Sequence, residues 1–156
     1  MRILSVLLLA IALALSSGHA ADDKTGGHDH HAMAFETCAK ACGDCQRECD
    51  SCAHHCAHLV AQGKKDHLKS LQTCQDCATH CSAAACITAR QGPFSDLICK
   101  ACAEACDRCG ATCEKFPDDE HMKKCAQECR KCEKACKEML QHTGRPGATS
   151  TNTPSR

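Results

Sequence analysis

The residues with chemistry to offer are thiols. Between Cys38 and Cys56 the chain reads CAKACGDCQRECDSCAHHC, with six cysteines at steps of 4, 3, 4, 3 and 4. Three further blocks follow. They hold Cys74, Cys77, Cys81 and Cys86; then Cys99, Cys102, Cys106, Cys109 and Cys113; then Cys125, Cys129, Cys132 and Cys136. The recurring unit is C-x3-C-x2-C. At about 100° per residue, the first block's six thiols fall within an arc of roughly 80° on one helix face. That is where a bundle helix normally keeps its leucines. Only Cys86 breaks step, five residues after Cys81. It points off the stripe unless the helix carries a π-bulge between Ser82 and Ala85.

A thiol stripe has three readings. Space filling explains little, because Ala, Leu or Val would fill the space without inviting oxidation. A disulfide framework suits a cysteine-rich exported chain. Within a helix, however, neighbours at i,i+3 or i,i+4 have Cβ atoms about 5–6 Å apart, whereas a disulfide needs about 3.5–4.5 Å. Cross-helix bridges remain open, although 19 cysteines is an odd number. Metal binding fits the spacing better. Two thiolates joined linearly through a metal, with bonds near 2.3 Å, stand roughly 4.5 Å apart. Cu(I) is the soft ion that accepts two thiolates in a line. With each sulfur shared between two ions, the metal core is neutral. Stacked Zn(Cys)4 sites would bury two negative charges each. A Zn(II) or mixed-metal thiolate store stays as the alternative. Iron–sulfur loop spacings are lacking, and no βαβ pattern surrounds the C-x-x-C units to suggest thioredoxin chemistry.

Positioning these stripes requires four helices. Ala, Lys, Glu, Gln and Arg fill the blocks and favour helix. Breakers fall between them: Gly63 with Asp66 as a possible N-cap, Gly92-Pro93 with Ser95, and Pro117 ahead of Asp118-Asp119-Glu120. Short connections make successive helices antiparallel. The predicted fold is all-α, an up-down-up-down four-helix bundle with a cysteine-lined core over residues 33–142. Cysteine outnumbers the large apolar side chains and must form much of the interior.

At this point the chain resembles the bacterial copper storage proteins, cysteine-rich four-helix bundles. The Cys-striped helices, the repeated C-x3-C-x2-C and the His and Met residues near the ends carry the resemblance, over Met33 to His142. It implies a homotetramer whose bundles each store multiple Cu(I) ions along the axis. The off-register Cys86 and the lack of a twin arginine depart from that family's pattern.

The flanks read differently. Residues 1–20 have a positive start, an apolar run from Ile3 to Leu15 and small residues at Gly18-His19-Ala20, a secretory signal peptide. That predicts an exported protein, periplasmic or secreted. Residues 21–32 read as a disordered His-rich leader, and residues 143–156 as a disordered tail. The chain carries 19 basic and 19 acidic residues, no Trp and no Tyr. That balance argues against nucleic acid or an anionic membrane as partner.

All 19 cysteines are predicted metal ligands. Met139, on the Cys face of the fourth helix, joins them, as do His67 and His121 as terminal ligands. In an antiparallel bundle, Met33, Cys38, Cys86, Cys99, Cys136, Met139 and His142 gather at one end, close to the leader's His28, His30 and His31. That end reads as a mouth for copper. The other gathers Leu59, Val60, Leu68, Leu71, Phe116 and Met122 and reads as a hydrophobic plug. No nucleophile–base–oxyanion constellation is visible, and many equivalent thiols argue for capacity over catalysis. The chain is read as a non-enzymatic Cu(I) store. A disulfide-stapled secreted protein is the alternative from another class.

Overall fold

The computed structural model describes residues 25–143. The expected signal peptide, the first residues of the leader and the tail beyond Thr143 lie outside the described residues. Four helices carry the described chain: α1 Thr25–Ala61, α2 Leu68–Ala89, α3 Ser95–Cys113 and α4 Glu120–Thr143. A 3-10 turn, Lys65–His67, precedes α2. None of these helices is long and apolar enough to cross a membrane.

Each helix packs against two others. α1 touches α2 and α4, and α3 touches the same pair. Thus α1 faces α3 across the diagonal, and α2 faces α4. Register is readable in the sulfur contacts. Cys38 meets Cys99 and Cys45 meets Cys106, both 61 residues apart, so α1 and α3 run parallel. Cys74 meets Cys125 and Cys81 meets Cys132, both 51 residues apart, so α2 and α4 do too. Neighbours are antiparallel, as the short connections require.

Two helix ends follow the Schellman pattern. At the end of α1, the Lys64 N–H donates to the Leu59 carbonyl at 3.0 Å and the Gly63 N–H to that of Val60 at 2.9 Å. Gly63 has φ +86°, which only glycine adopts without cost. At the end of α2, Gly92 N–H reaches Ile87 and Gln91 N–H reaches Thr88, both at 2.9 Å. Asp66 does not cap α2. It lies within the 3-10 turn, and His67 takes the N-cap position without a side-chain bond.

α4 is capped as its sequence demands. Asp119 Oδ1 accepts from the backbone N–H of His121 at 3.0 Å and of Met122 at 3.2 Å. Its Oδ2 accepts from His55 Nε2 at 2.8 Å, tying α1 to the start of α4. Burial alone would raise the Asp119 pKa. The bonds from His55, Met122 and His121 outweigh it and hold the carboxyl below its usual range. Asp119→Ala is expected to cost the reduced metal-free protein about 1–2 kcal/mol, read from the urea midpoint at unchanged m.

α3 and α4 are clamped near their middle. Arg130 grips Glu114 through Nε and Nη2 at 2.9 and 3.0 Å, and Asp107 through Nη1 at 2.6 Å. Its guanidinium lies across Gly110, where an added Cβ would meet Arg130 Cζ at 3.2 Å. A glycine inside a helix has its reason here: any side chain would push the clamp aside.

The leader needs correction. α1 already begins at Thr25, inside the segment expected to be disordered. Extending an existing helix adds one hydrogen bond per residue without a new nucleus. The His31 ring also packs on Phe35 at 4.8 Å between centroids, which favours the extra turns.

Candidate metal centre

The bundle interior is a column of sulfur. Eighteen of the 19 cysteines are buried, and all are free thiols. Successive layers interlock. Cys38 touches Cys99 at 3.6 Å and Cys136 at 3.7 Å. Cys42 touches Cys136 and Cys132, each at 3.6 Å. Cys81 touches Cys106 at 3.6 Å and Cys102 at 3.7 Å. Deeper along the axis, Cys49 meets Cys125 and Cys129 at 3.8 Å, and Cys74 meets Cys109 at 3.7 Å and Cys113 at 3.8 Å. Along one helix, Cys38–Cys42, Cys45–Cys49 and Cys77–Cys81 are each 3.9 Å apart.

These separations are far longer than a disulfide bond of about 2.05 Å. They match metal bridging. With bonds near 2.3 Å, a three-coordinate ion spaces its sulfurs about 4.0 Å apart, and a linear one about 4.6 Å. The column therefore takes trigonal ions almost as it stands and linear ions after small rotamer adjustments. Fourfold groups recur along it, such as Cys42, Cys102, Cys132 and Cys136, or Cys52, Cys74, Cys113 and Cys125. Within each group all sulfurs lie within 4.8 Å of one another. No layer is walled off from the next, because each group shares sulfurs or contacts with its neighbours.

The thiols do not titrate alike. Contact with Cys106 is the main reason Cys77 is lowered to about 6. Cys106 itself is raised, by Cys102, Cys129, Cys132 and Cys45 and by burial. Cys45 is lowered through Cys106 and Cys129, while Cys49 is raised through Cys109 and Cys125. When one sulfur of a touching pair ionises, its neighbour's S–H stabilises the charge and is then held more tightly. The first protons leave easily. The later ones leave only when a cation replaces them.

The family model described as copper storage protein (Csp) matches residues 24–141. The chain belongs to the copper storage protein family. Solved structures agree with that assignment. A cytosolic copper storage protein from Streptomyces lividans, captured during copper loading with five coppers, is 30% identical with a TM-score of 0.67, over 72% of this chain and 97% of that one. The same organism's protein loaded with 10 copper equivalents is 31% identical, TM-score 0.65, over 70% and 86%. The Cu(I)-bound copper storage protein BsCsp3 is 31% identical, TM-score 0.63, over 69% and 98%. No curated protein matches the chain.

Most of the predicted ligands of this family member converge, and several details change. Cys86 is exposed on the outer face of an unbroken α-helix, so it does not join the column. There is no π-bulge to turn it inward. At its level α2 supplies Ala84 and Thr88, both fully buried. Met139 is fully buried, as its place on the stripe predicted.

The expected hydrophobic plug forms only in part, with Leu71 and Phe116 packed against the core. Leu68 is exposed and Leu59 and Val60 are only half-buried. Instead Met122 is fully buried, with its Sδ 3.5 Å from both Cys52 Sγ and Cys56 Sγ. Sequence reasoning placed it as packing. Its signal was available, because Met122 lies three residues before Cys125 and so continues the C-x2-C stripe.

The two predicted terminal histidines differ from one another. His67 is buried and stacks on Phe116 with centroids 4.2 Å apart. Its Nδ1 has no hydrogen-bond partner among the described residues, nor has the buried Ser70 Oγ. His121 is exposed and stacks on His55 at 4.3 Å. A cleft of about 570 Å³, lined by His55, His67, Phe116, Asp119 and His121 among others, opens at this end. At the opposite end, Phe35 is buried and Met33 points outward at 60% exposure. A cleft of about 420 Å³, lined by His30, Met33 and His142 among others, opens at that end too, so each end sets imidazole and thioether side chains beside an opening.

Proposed function

We propose that this protein stores multiple Cu(I) ions as a copper–thiolate column inside its four-helix bundle, without catalysing a reaction. The observation that carries this is the continuous chain of eighteen buried free thiols at metal-bridging separations. Membership of the copper storage family and likeness to copper-loaded structures support it. Cu(I) fits better than Zn(II), because shared thiolates and monovalent ions leave the dry interior neutral. The test is anaerobic Cu(I) titration of reduced protein against a competing chelator, after thiol counting.

Copper enters, on this reading, at the end holding Met122, His55, His67 and His121. A soft ion there passes from imidazole and thioether to the thiolates of Cys52 and Cys56. The double variant His55→Ala/His121→Ala is expected to load about tenfold more slowly, the effect of losing about 1.4 kcal/mol at the entrance, and to reach an unchanged end-point. Stopped-flow transfer from a coloured Cu(I) chelator reads both. Unchanged rates would move the entrance elsewhere.

The same reading places the protein outside the cytoplasm, for copper detoxification and storage there, on the strength of the signal-like residues 1–20. Mass spectrometry of the expressed protein checks cleavage after Ala20. Assembly into a homotetramer also belongs to this reading. Phe94 and Leu97, both exposed, are side chains an assembly would cover. Light scattering decides it.

A further inference from the structure

We propose that His54 and His58 form a chelate for Cu(II) on the outer surface of α1, separate from the thiol column. Both are exposed and stand one helical turn apart. Their Nε2 atoms converge to 3.2 Å. The ring planes are nearly perpendicular, at 87°, with centroids 4.6 Å apart. Two imidazoles bound at about 2.0–2.1 Å with an angle near 100° at the metal have their nitrogens about 3.2 Å apart. The pair is already at that bite. In the metal-free protein one Nε2 hydrogen-bonds the other across the gap, and an ion takes the place of that bond.

The other histidine pairs among the described residues lack this geometry. His55 and His121 stack nearly parallel, at 17°, and His55 Nε2 is committed to Asp119. The centroids of His31 and His142 are 6.5 Å apart. His80 Nδ1 is bonded to the carbonyl of its own helix at Asp76.

The ligand type selects the ion. Two imidazoles completed by water form a tetragonal nitrogen–oxygen site, which suits Cu(II), the tightest binder among the divalent first-row ions. Cu(I) prefers the thiolates. These lie on the opposite side of the same turns, where Cys52 and Cys56 are fully buried. One stretch of helix thus offers reduced copper an inner face and oxidised copper an outer one.

The test uses the Cys86→Ser chain, saturated anaerobically with Cu(I) and shown by thiol counting to hold no free thiol that would reduce Cu(II). One equivalent of a Cu(II) salt is added, and the electron paramagnetic resonance spectrum is recorded. Cu(I) is silent. The expected spectrum is axial, with hyperfine splitting from two nitrogens. In His54→Ala/His58→Ala that signal is lost and affinity falls on the order of 10²-fold, the gain from tethering the second ligand. His28→Ala/His30→Ala/His31→Ala keeps it. Survival of the two-nitrogen signal without His54 and His58, or its loss with the leader histidines, overturns the proposal. If thiol counting shows an unfilled column, residue-resolved imidazole NMR is followed through a Zn(II) titration carried past saturation of the thiols, which reads the pair directly. His54 and His58 then shift together, or the chelate is absent.

Discussion

Anaerobic titration of the reduced protein with Cu(I) is expected to saturate at about 18 ions per chain, one for each buried thiol. The ratio follows from sulfur that bridges: each ion takes two or more thiolates, and each thiolate serves two or more ions. Tetrahedral sites that do not share ligands would saturate near four ions, so the end-point separates the two chemistries. The quadruple variant Cys45→Ser, Cys49→Ser, Cys106→Ser and Cys132→Ser removes thiols from the middle of the column. Its capacity is expected to fall to about 14 or fewer, since each missing sulfur strips a ligand from more than one ion. Helix content should hardly change, because serine is close to cysteine in size and the helices keep their capping. Circular dichroism checks that. A variant that keeps full capacity would show that copper does not occupy the centre of the bundle.

The second large effect is on stability and its pH dependence. The metal-free bundle has an interior of small thiols and few large apolar groups, and such a domain is marginal. Each ion bound only by the folded state adds RT ln(1 + [L]/Kd), about 4 kcal/mol at a thousandfold excess over Kd. Several such ions exceed the intrinsic stability of a domain. The loaded protein is therefore expected to melt tens of degrees above the metal-free one. The apo-protein should already be helical, unlike a zinc finger. A coil spectrum that becomes helical only with copper would refute the preformed column.

Acid should reverse loading. Thiols such as Cys49 and Cys106 are raised and carry protons through neutral pH. Copper must displace those protons, so affinity falls as pH drops, about tenfold per unit for each proton displaced. Cys77, lowered to about 6, needs no proton removed above that pH and begins to resist copper only below it. Chelator competition between pH 8 and pH 5 measures the slope.

What the sequence made legible was periodicity. Steps of 3 and 4 require a helix face, and four such faces joined by short breakers require an antiparallel bundle. Cys86 was marked as an outlier by the same count, and the structure places it on the outside. What stayed hidden depends on contacts between segments. The role of Met122 rests on Cys52 and Cys56, which are contributed by another helix. The extent of the plug was misread because Leu59, Val60 and Leu68 are apolar by type. Their burial depends on how far each helix projects past its neighbours, which spacing does not encode. The first turns of α1 were misread for a similar reason: the packing of His31 on Phe35 favours helix where composition alone does not.

One asymmetry in the bundle would, on the proposed function, set the order in which copper leaves. α2 gives the column only Cys74, Cys77 and Cys81, and at either end it presents a buried hydroxyl instead, Ser70 or Thr88. A hydroxyl is a poor partner for a soft ion. Ions at the two extremities are therefore held by fewer sulfurs than those at mid-length. On the proposed function, the store empties from its extremities inward, with the least-ligated ions withdrawn first. The central ions form a reserve released only under strong demand, and the chain carries exchangeable and committed copper in a single uninterrupted file.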